Sequence, residues 1–303
     1  MTLSPPSPLA SAPNSSPLRP RRSLLYLPAS NARALAKART LGCDGVILDL
    51  EDSVAPDAKA SARAQLVEAL TAGGFGRREV VVRVNGLDTP WGEQDLEALA
   101  HAPPDAVLVP KVQDSGDIAR YHARLEALPD RVQLWAMVET CRSLFHLESL
   151  AAASRTSRLA CLVMGVNDLA KEMGAELEAG RTPFLTALSL SVAAARAYGL
   201  SILDGVFNGL EDAAGLEQEC RQGRQFGFHG KTLIHPGQIE ACNRVFSPTS
   251  DQIAWASTVV DAFAEARNAG LGAIRVAGQM VERLHLAQAE RILVIHAAER
   301  EGG

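Results

Sequence analysis

A chain of 303 residues that is 47% hydrophobic can bury two average domains or one large α/β barrel. Its net charge of −5 leaves no basic surplus to neutralise phosphates, and 5% aromatics are too few for a base-stacking platform, so nucleic acid is excluded as a main partner. No apolar stretch is long enough to span a bilayer, which excludes a membrane-embedded role for these segments.

Residues 1–20 are rich in Pro, Ser and Ala and lack an apolar signal core. They read as a disordered tail. From Arg22 short apolar runs alternate with amphipathic stretches. The spacing predicts strands at Ser23–Leu27, Gly45–Leu50, Val80–Val84, Ala106–Val109, Leu134–Val138, Ala160–Gly165, Ser201–Val206 and Lys231–Ile234. Mostly continuous apolar runs suit strands covered on both faces. Helices are expected over Asn31–Leu41, Asp57–Leu70, Thr182–Tyr198 and Leu210–Phe226, with Gly199 and Gly227 as stops. After Pro248 the character changes: a long helix over Ser250–Ala269, a hairpin within Gly270–Met280 and a last helix over Leu284–Ala298. The expected organisation is a tail (1–20), a catalytic barrel (21–248) and a helical extension (249–303) acting as a lid or oligomerisation arm. Cys43, Cys141, Cys161, Cys220 and Cys242 form no CxxC pair, and an odd number cannot all pair within the chain. They read as reduced thiols of a cytoplasmic protein.

About eight βα units predict a (β/α)8 TIM barrel with a C-terminal helical extension. A doubly wound open sheet is the competing fold. It is weakened by Leu27-Pro28-Ala29-Ser30-Asn31, which stands where a glycine-rich dinucleotide loop belongs.

Barrel active sites gather where strands end. Asp49, Glu51, Asp52, Arg83, Asn85, Lys111, Glu139, Asp168, Asp204 and His235 all fall there. Glu139 and Asp168 close consecutive apolar runs, so as neighbouring parallel strands they would emerge side by side. Two bare carboxylates repel, and a hard dication such as Mg2+, with Mn2+ as an alternative, removes the conflict. Arg83 has a rigid fork suited to a carboxylate or an enolate oxygen. Gly165 would let the amides of Val166, Asn167 and Asp168 approach a substrate carboxylate. Strand alternation puts Asp49 and Glu51 on one face, supporting Arg83 and metal-bound water, with Asp52 turned away. Lys111 reads as an inward charge partner rather than a Schiff-base lysine, and His235 as structural.

Together these residues carry a resemblance. Arg22-Ser-Leu-Leu-Tyr-Leu-Pro28, Asp44-Gly-Val-Ile-Leu-Asp-Leu-Glu-Asp52, Val82-Arg-Val-Asn85, Val109-Pro-Lys-Val112, Gly165-Val-Asn-Asp168 and Gly227-Phe-His-Gly-Lys-Thr-Leu-Ile-His-Pro236 occur in the order and spacing of the HpcH/HpaI aldolase and citrate lyase superfamily. The chain resembles its citrate lyase β-subunit-like and malyl-CoA lyase-like members. The resemblance implies a TIM barrel, trimeric or hexameric, that uses Mg2+ on a carbon–carbon bond between an acyl thioester and a 2-oxo acid such as glyoxylate or oxaloacetate. It maps metal ligands onto Glu139 and Asp168, and substrate binding onto Arg83 and Glu139. Two departures stand out. Ala29 replaces a common glycine, and Glu282, in Gly278-Gln-Met-Val-Glu282, replaces an aspartate that can serve a neighbouring subunit. Asn208 also stands where some relatives have an acid. The expected function is a Mg2+-dependent carbon–carbon lyase on a hydroxyacyl-CoA thioester, with Arg83 and Glu282 as catalytic residues. Two alternatives stay open: an aldolase on free 4-hydroxy-2-oxo acids without CoA, and a non-catalytic barrel subunit.

Overall fold

A computed structural model describes residues 19–268 and 270–300. Most of the tail expected at 1–20 lies outside the described residues. Eight parallel strands close into a barrel in chain order: β1 (Ser23–Pro28), β2 (Gly45–Asp49), β3 (Glu79–Arg83), β4 (Ala106–Val109), β5 (Gln133–Val138), β6 (Leu159–Met164), β7 (Ser201–Asp204) and β8 (Gly230–Leu233). β1 pairs with β8 through Ser23↔Lys231 and completes the ring. The fold is a (β/α)8 barrel followed by C-terminal helices.

Side-chain alternation along each strand explains why the runs are apolar throughout. Leu24, Ile47, Val81, Leu108, Trp135, Met137, Cys161, Val163 and Leu203 fill the lumen. Their neighbours, among them Leu48, Val82, Val107, Leu134, Leu162 and Ile202, pack outward under the helices. The helix Ala213–Phe226 ends at Gly227, whose φ of 99° is the left-handed stop that glycine tolerates. All five cysteines are free.

The lumen is sealed at the amino-terminal ends of the strands. Arg21 donates to both Glu79 oxygens at 2.7 Å, to Ser201 Oγ at 2.7 Å and to Gln133 Oε1 at 3.1 Å. Its guanidinium lies 4.7 Å above the Trp135 ring. A largely buried polar plug of this kind survives because each charge has a partner.

Asp204 does not belong to the rim. The inward residue of β7 is Leu203, so the neighbouring Asp204 turns out behind the wall. There it accepts from Arg181 at 2.7 Å and Lys231 at 3.1 Å, fully buried. Burial alone would raise its pKa, but the two cations hold it below the usual carboxylate value.

Beyond the barrel, Thr249 caps the helix Ser250–Ala264 in a capping box with Gln252. That helix stops five residues short of the expected Ala269, and a 3-10 turn (Ala266–Asn268) follows. β9 (Ala273–Val276) and β10 (Gln279–Glu282) form a hairpin whose turn residues Ala277 and Gly278 have φ of 48° and 83°. Two positive φ values in a two-residue loop match the right-handed strand twist. The helix Arg283–Arg300 closes the unit. Ala256, Val259, Phe263, Ile274, Val276, Val281 and Ala289 form a small core separate from that of the barrel. Arg77, in the loop ahead of β3, donates to the Ala298 carbonyl and ties the last helix to the sealed end.

Candidate active site at the open rim

The rim is built from loops whose anchors lie below it. β2 stops at Asp49, and the chain turns at once. Asp49 Oδ1 accepts from the Glu51 amide at 2.9 Å, and Oδ2 accepts from the Ser53 amide at 3.1 Å. Buried Lys59 donates to the carbonyls of Leu50 and Glu51, both at 2.7 Å, and Asn85 Nδ2 donates to Leu50 at 2.9 Å. This turn, not strand alternation, delivers Glu51. It also corrects the placement of Asp52, whose Oδ2 comes within 3.4 Å of Arg83.

Arg83 ends β3 and is 8% exposed. Its Nε and Nη2 each donate to Asp49 at 2.7 Å, in a bidentate pair. Burial opposes the charge, but Asp49 outweighs it and holds the arginine pKa well above its usual value. Asp49 in turn falls below the usual carboxylate value, because Arg83 overcomes the burial. The guanidinium stacks 4.9 Å from the Tyr26 ring centre. Only Nη1 is left toward the lumen mouth, 2.9 Å from Glu51 Oε2 and 3.8 Å from the Met137 sulfur. Arg83 therefore offers one edge to a ligand, not its whole fork.

Glu139 follows β5 and is 1% exposed. Its Oε1 accepts the Lys111 amide at 2.6 Å, whereas Oε2 is buried with no hydrogen bond. Burial pushes its pKa up to about 7, Lys111 opposes the rise, and Glu51 and Asp168 add to it. A buried carboxylate oxygen with no partner costs free energy until something binds it. Gly165, at the end of the next strand, keeps that oxygen open: a Cβ there would stand 2.4 Å from Oε2. Gly165 leads into the helix Val166–Met173, whose amino end has no side-chain cap. The amides of Val166, Asn167 and Asp168 precede the first intrahelical bond, from Leu169 to Gly165. Such an end attracts anions.

Asp168 lies in the first turn of that helix, with Lys111 Nζ 3.8 Å from Oδ2. Lys111 Nζ also donates to Glu51 at 3.0 Å. Burial lowers the lysine pKa, but Glu139 and Glu51 overcome it and hold it above the ordinary value. A protonated ammonium is the wrong state for a Schiff-base nucleophile. The Asn167 side chain faces Asn208 instead of the rim centre, in a reciprocal amide pair of 2.8 and 3.2 Å. His235 Nδ1 accepts from the Gly237 amide and caps a short turn. Glu282 is exposed on β10. Its amide donates to His285, and its carboxylate has no ion pair among the described residues.

A divalent ion fits this donor set. The buried orphan Oε2 of Glu139 faces the space that Gly165 keeps clear, and Asp168 is close enough to raise the Glu139 pKa. Among the described residues no cluster of three or more His, Cys, Asp and Glu is arranged to hold a metal. Two carboxylates completed by substrate and water are what Mg2+ commonly takes. A cavity of about 480 Å3 opens among the loops that follow β6 and β7. Val166, Arg181, Phe207, Asn208 and Gln222 line it, and Arg83, Glu139 and Asp168 do not.

The sequence reading missed Lys59 and Tyr26. Lys59 is gripped by carbonyls eight and nine residues back, and no local pattern marks such a role. The Tyr26 hydroxyl is buried without a partner below Arg83, and the inward parity of β1 was its one available signal.

An eight-stranded barrel with ionisable side chains gathered at its carboxyl-terminal rim is the architecture of a barrel enzyme. The chain belongs to the HpcH/HpaI aldolase/citrate lyase family, whose model matches residues 22–236. It is 47% identical over 274 residues to a (3S)-malyl-CoA thioesterase of Cereibacter sphaeroides, covering 90% of this chain and 94% of that one. It is 34% identical over 291 residues to the citrate lyase subunit beta of Escherichia coli K12, covering 94% and 95%. The crystal structure of the CitE protein of Mycobacterium tuberculosis with magnesium, acetoacetate and coenzyme A is similar at a TM-score of 0.68 and 30% identity, covering 90% and 97%.

Proposed function

We propose that this chain is a Mg2+-dependent enzyme that hydrolyses hydroxyacyl-CoA thioesters of the malyl type. The observation that carries the reading is the buried, unpartnered Glu139 oxygen beside Gly165 and the open helix end. Glu139 and Asp168 would hold the ion, and when bound it supplies Lewis-acid polarisation to the carboxylate and adjacent oxygen of a 2-hydroxy acid. The amides of Val166 and Asn167 receive that carboxylate, and Nη1 of Arg83 offsets charge on its neighbouring oxygen. Asp49 keeps Arg83 from rotating, and Glu51 stands between Arg83 and Lys111, where it can accept a proton from water. Hydrolysis adds water to the thioester carbonyl and breaks the carbon–sulfur bond, releasing a thiol and a 2-hydroxy diacid. The malyl-CoA thioesterase relative at 47% identity supports that outcome.

Carbon–carbon cleavage of the same substrate is the second reading, favoured by the citrate lyase relatives and by the chelating end of the site. There a base takes the hydroxyl proton, the bond to the adjacent methylene breaks, and the enolate thioester is reprotonated at carbon. Glu282 of a neighbouring subunit is our candidate for that acid. One assay separates the readings: malyl-CoA with Mg2+, with free thiol and glyoxylate followed together. Thiol without glyoxylate establishes hydrolysis, and glyoxylate without thiol establishes cleavage. Neither product would sink both.

A further inference from the structure

Lys111 has a backbone that its residue type does not favour. Its φ is 52°, one of three non-glycine residues with positive φ among those described. That conformation points its amide at Glu139 Oε1, 2.6 Å away. It also sends the side chain back across the rim, where Nζ lies 3.0 Å from Glu51 and 3.8 Å from Asp168. One residue thus orients one proposed metal ligand through its backbone and neutralises the other through its side chain. Without that ammonium, Glu139 and Asp168 would face each other with no cation of their own, because Arg83 reaches Asp49, Glu51 and Asp52 but neither of them.

We propose that Lys111 is a built-in competitor of the divalent ion: its ammonium occupies Asp168 in the metal-free protein and must yield that carboxylate when the ion binds. This rests on the metal-site reading above. The side chain is 49% exposed, so it has room to swing toward Glu51 alone. An ammonium on a flexible four-carbon stem suits an exchangeable charge. The arrangement keeps the empty site neutral enough to stay folded and sets the affinity for the ion below what two carboxylates alone would give.

The test is calorimetric titration of Mg2+ and of Mn2+ into the full-length protein and into Lys111→Met, Lys111→Gly and Lys111→Arg, with melting temperatures recorded without metal. Loss of the charge should tighten both ions tenfold or more in Lys111→Met and Lys111→Gly alike. Lys111→Arg should stay within threefold of the parent. The charge-free variants should melt lower without metal and recover when it is added. Glycine relieves the backbone and methionine does not, so a change confined to Lys111→Gly would assign the effect to strain and overturn the proposal. Unchanged or weaker affinity in both would also overturn it, while parent binding that persists leaves the metal-site reading standing. Absence of binding in every protein would remove both.

Discussion

Glu139 sets the pH behaviour of the rim. Its pKa rises from an ordinary 4.5 to about 7 in the metal-free protein, chiefly through burial. A raised carboxyl stabilises the fold fully below its ordinary value and loses that contribution as pH climbs toward 7, on the order of 3 kcal/mol. At the proposed metal site, proton and Mg2+ then compete for one carboxylate. Affinity measured by calorimetry should rise about tenfold per pH unit below 7 and level off above it, and a flat profile between pH 5.5 and 8 would refute this. Glu139→Gln should lose Mg2+ binding and its pH dependence while melting no lower at pH 8. Gly165→Ala places a methyl 2.4 Å from Oε2 and 2.5 Å from Cβ of Glu139. Overpacking of this kind costs about 1–3 kcal/mol, and displacing a ligand by an ångström costs on the order of a hundredfold in turnover. A melting curve and a kcat measurement on this variant check both. The residue types of the rim were legible because each closes an apolar run. Their partners were legible only in part: Asp49 and Glu51 were expected beside Arg83 and both meet it, whereas the Glu51–Lys111 contact joins different strands and only the closed barrel determines it.

At the scale of elements, the turn after β2 is the part most dependent on remote support. Lys59, Asn85 and Asp49 bind it from three directions. Lys59→Met removes donors from two buried carbonyls, which costs about 1–3 kcal/mol each when no water replaces them. We expect a lower melting temperature and a fall in kcat exceeding any change in KM, because Glu51 loses its position while the rest of the rim stays. Asp49→Ala should be harsher, by about 3–5 kcal/mol, since it strands a buried guanidinium. The strands themselves could be read to within one or two residues, because continuous apolar runs bounded by polar rims are what a two-sided parallel strand requires. Their inward parity was harder. Asp204 looked like a rim residue because it falls near the end of the predicted Ser201–Val206 run, yet Leu203 takes the inward position and sends Asp204 behind the wall. Asp52 erred the other way, since alternation does not extend past the strand end at Asp49. The long C-terminal helix ran short because apolar periodicity carries no information about where the hairpin must begin.

Over the whole molecule, the C-terminal unit has its own core and is tied at Arg77 to the sealed end of the barrel. Burial pushes Arg291 of its last helix down to about 10, with help from Arg196 and Arg21. Glu282 meets no rim residue of its own chain through any ion pair among the described residues. On the cleavage reading it serves the site of another copy. On that reading, Glu282→Ala and Glu139→Ala should each lose glyoxylate formation alone, and mixing them should restore part of it through hybrid assemblies, while unmixed controls stay silent. Failure to complement would retire Glu282 as a catalytic group.

The Arg21 plug has a consequence for traffic. With the floor of the lumen bolted shut, whatever reaches Glu139 arrives by the same doorway through which the leftovers depart. On the proposed hydrolysis, departing acid must therefore vacate the threshold before fresh thioester can be seated, and each should exclude the other in a steady-state inhibition plot.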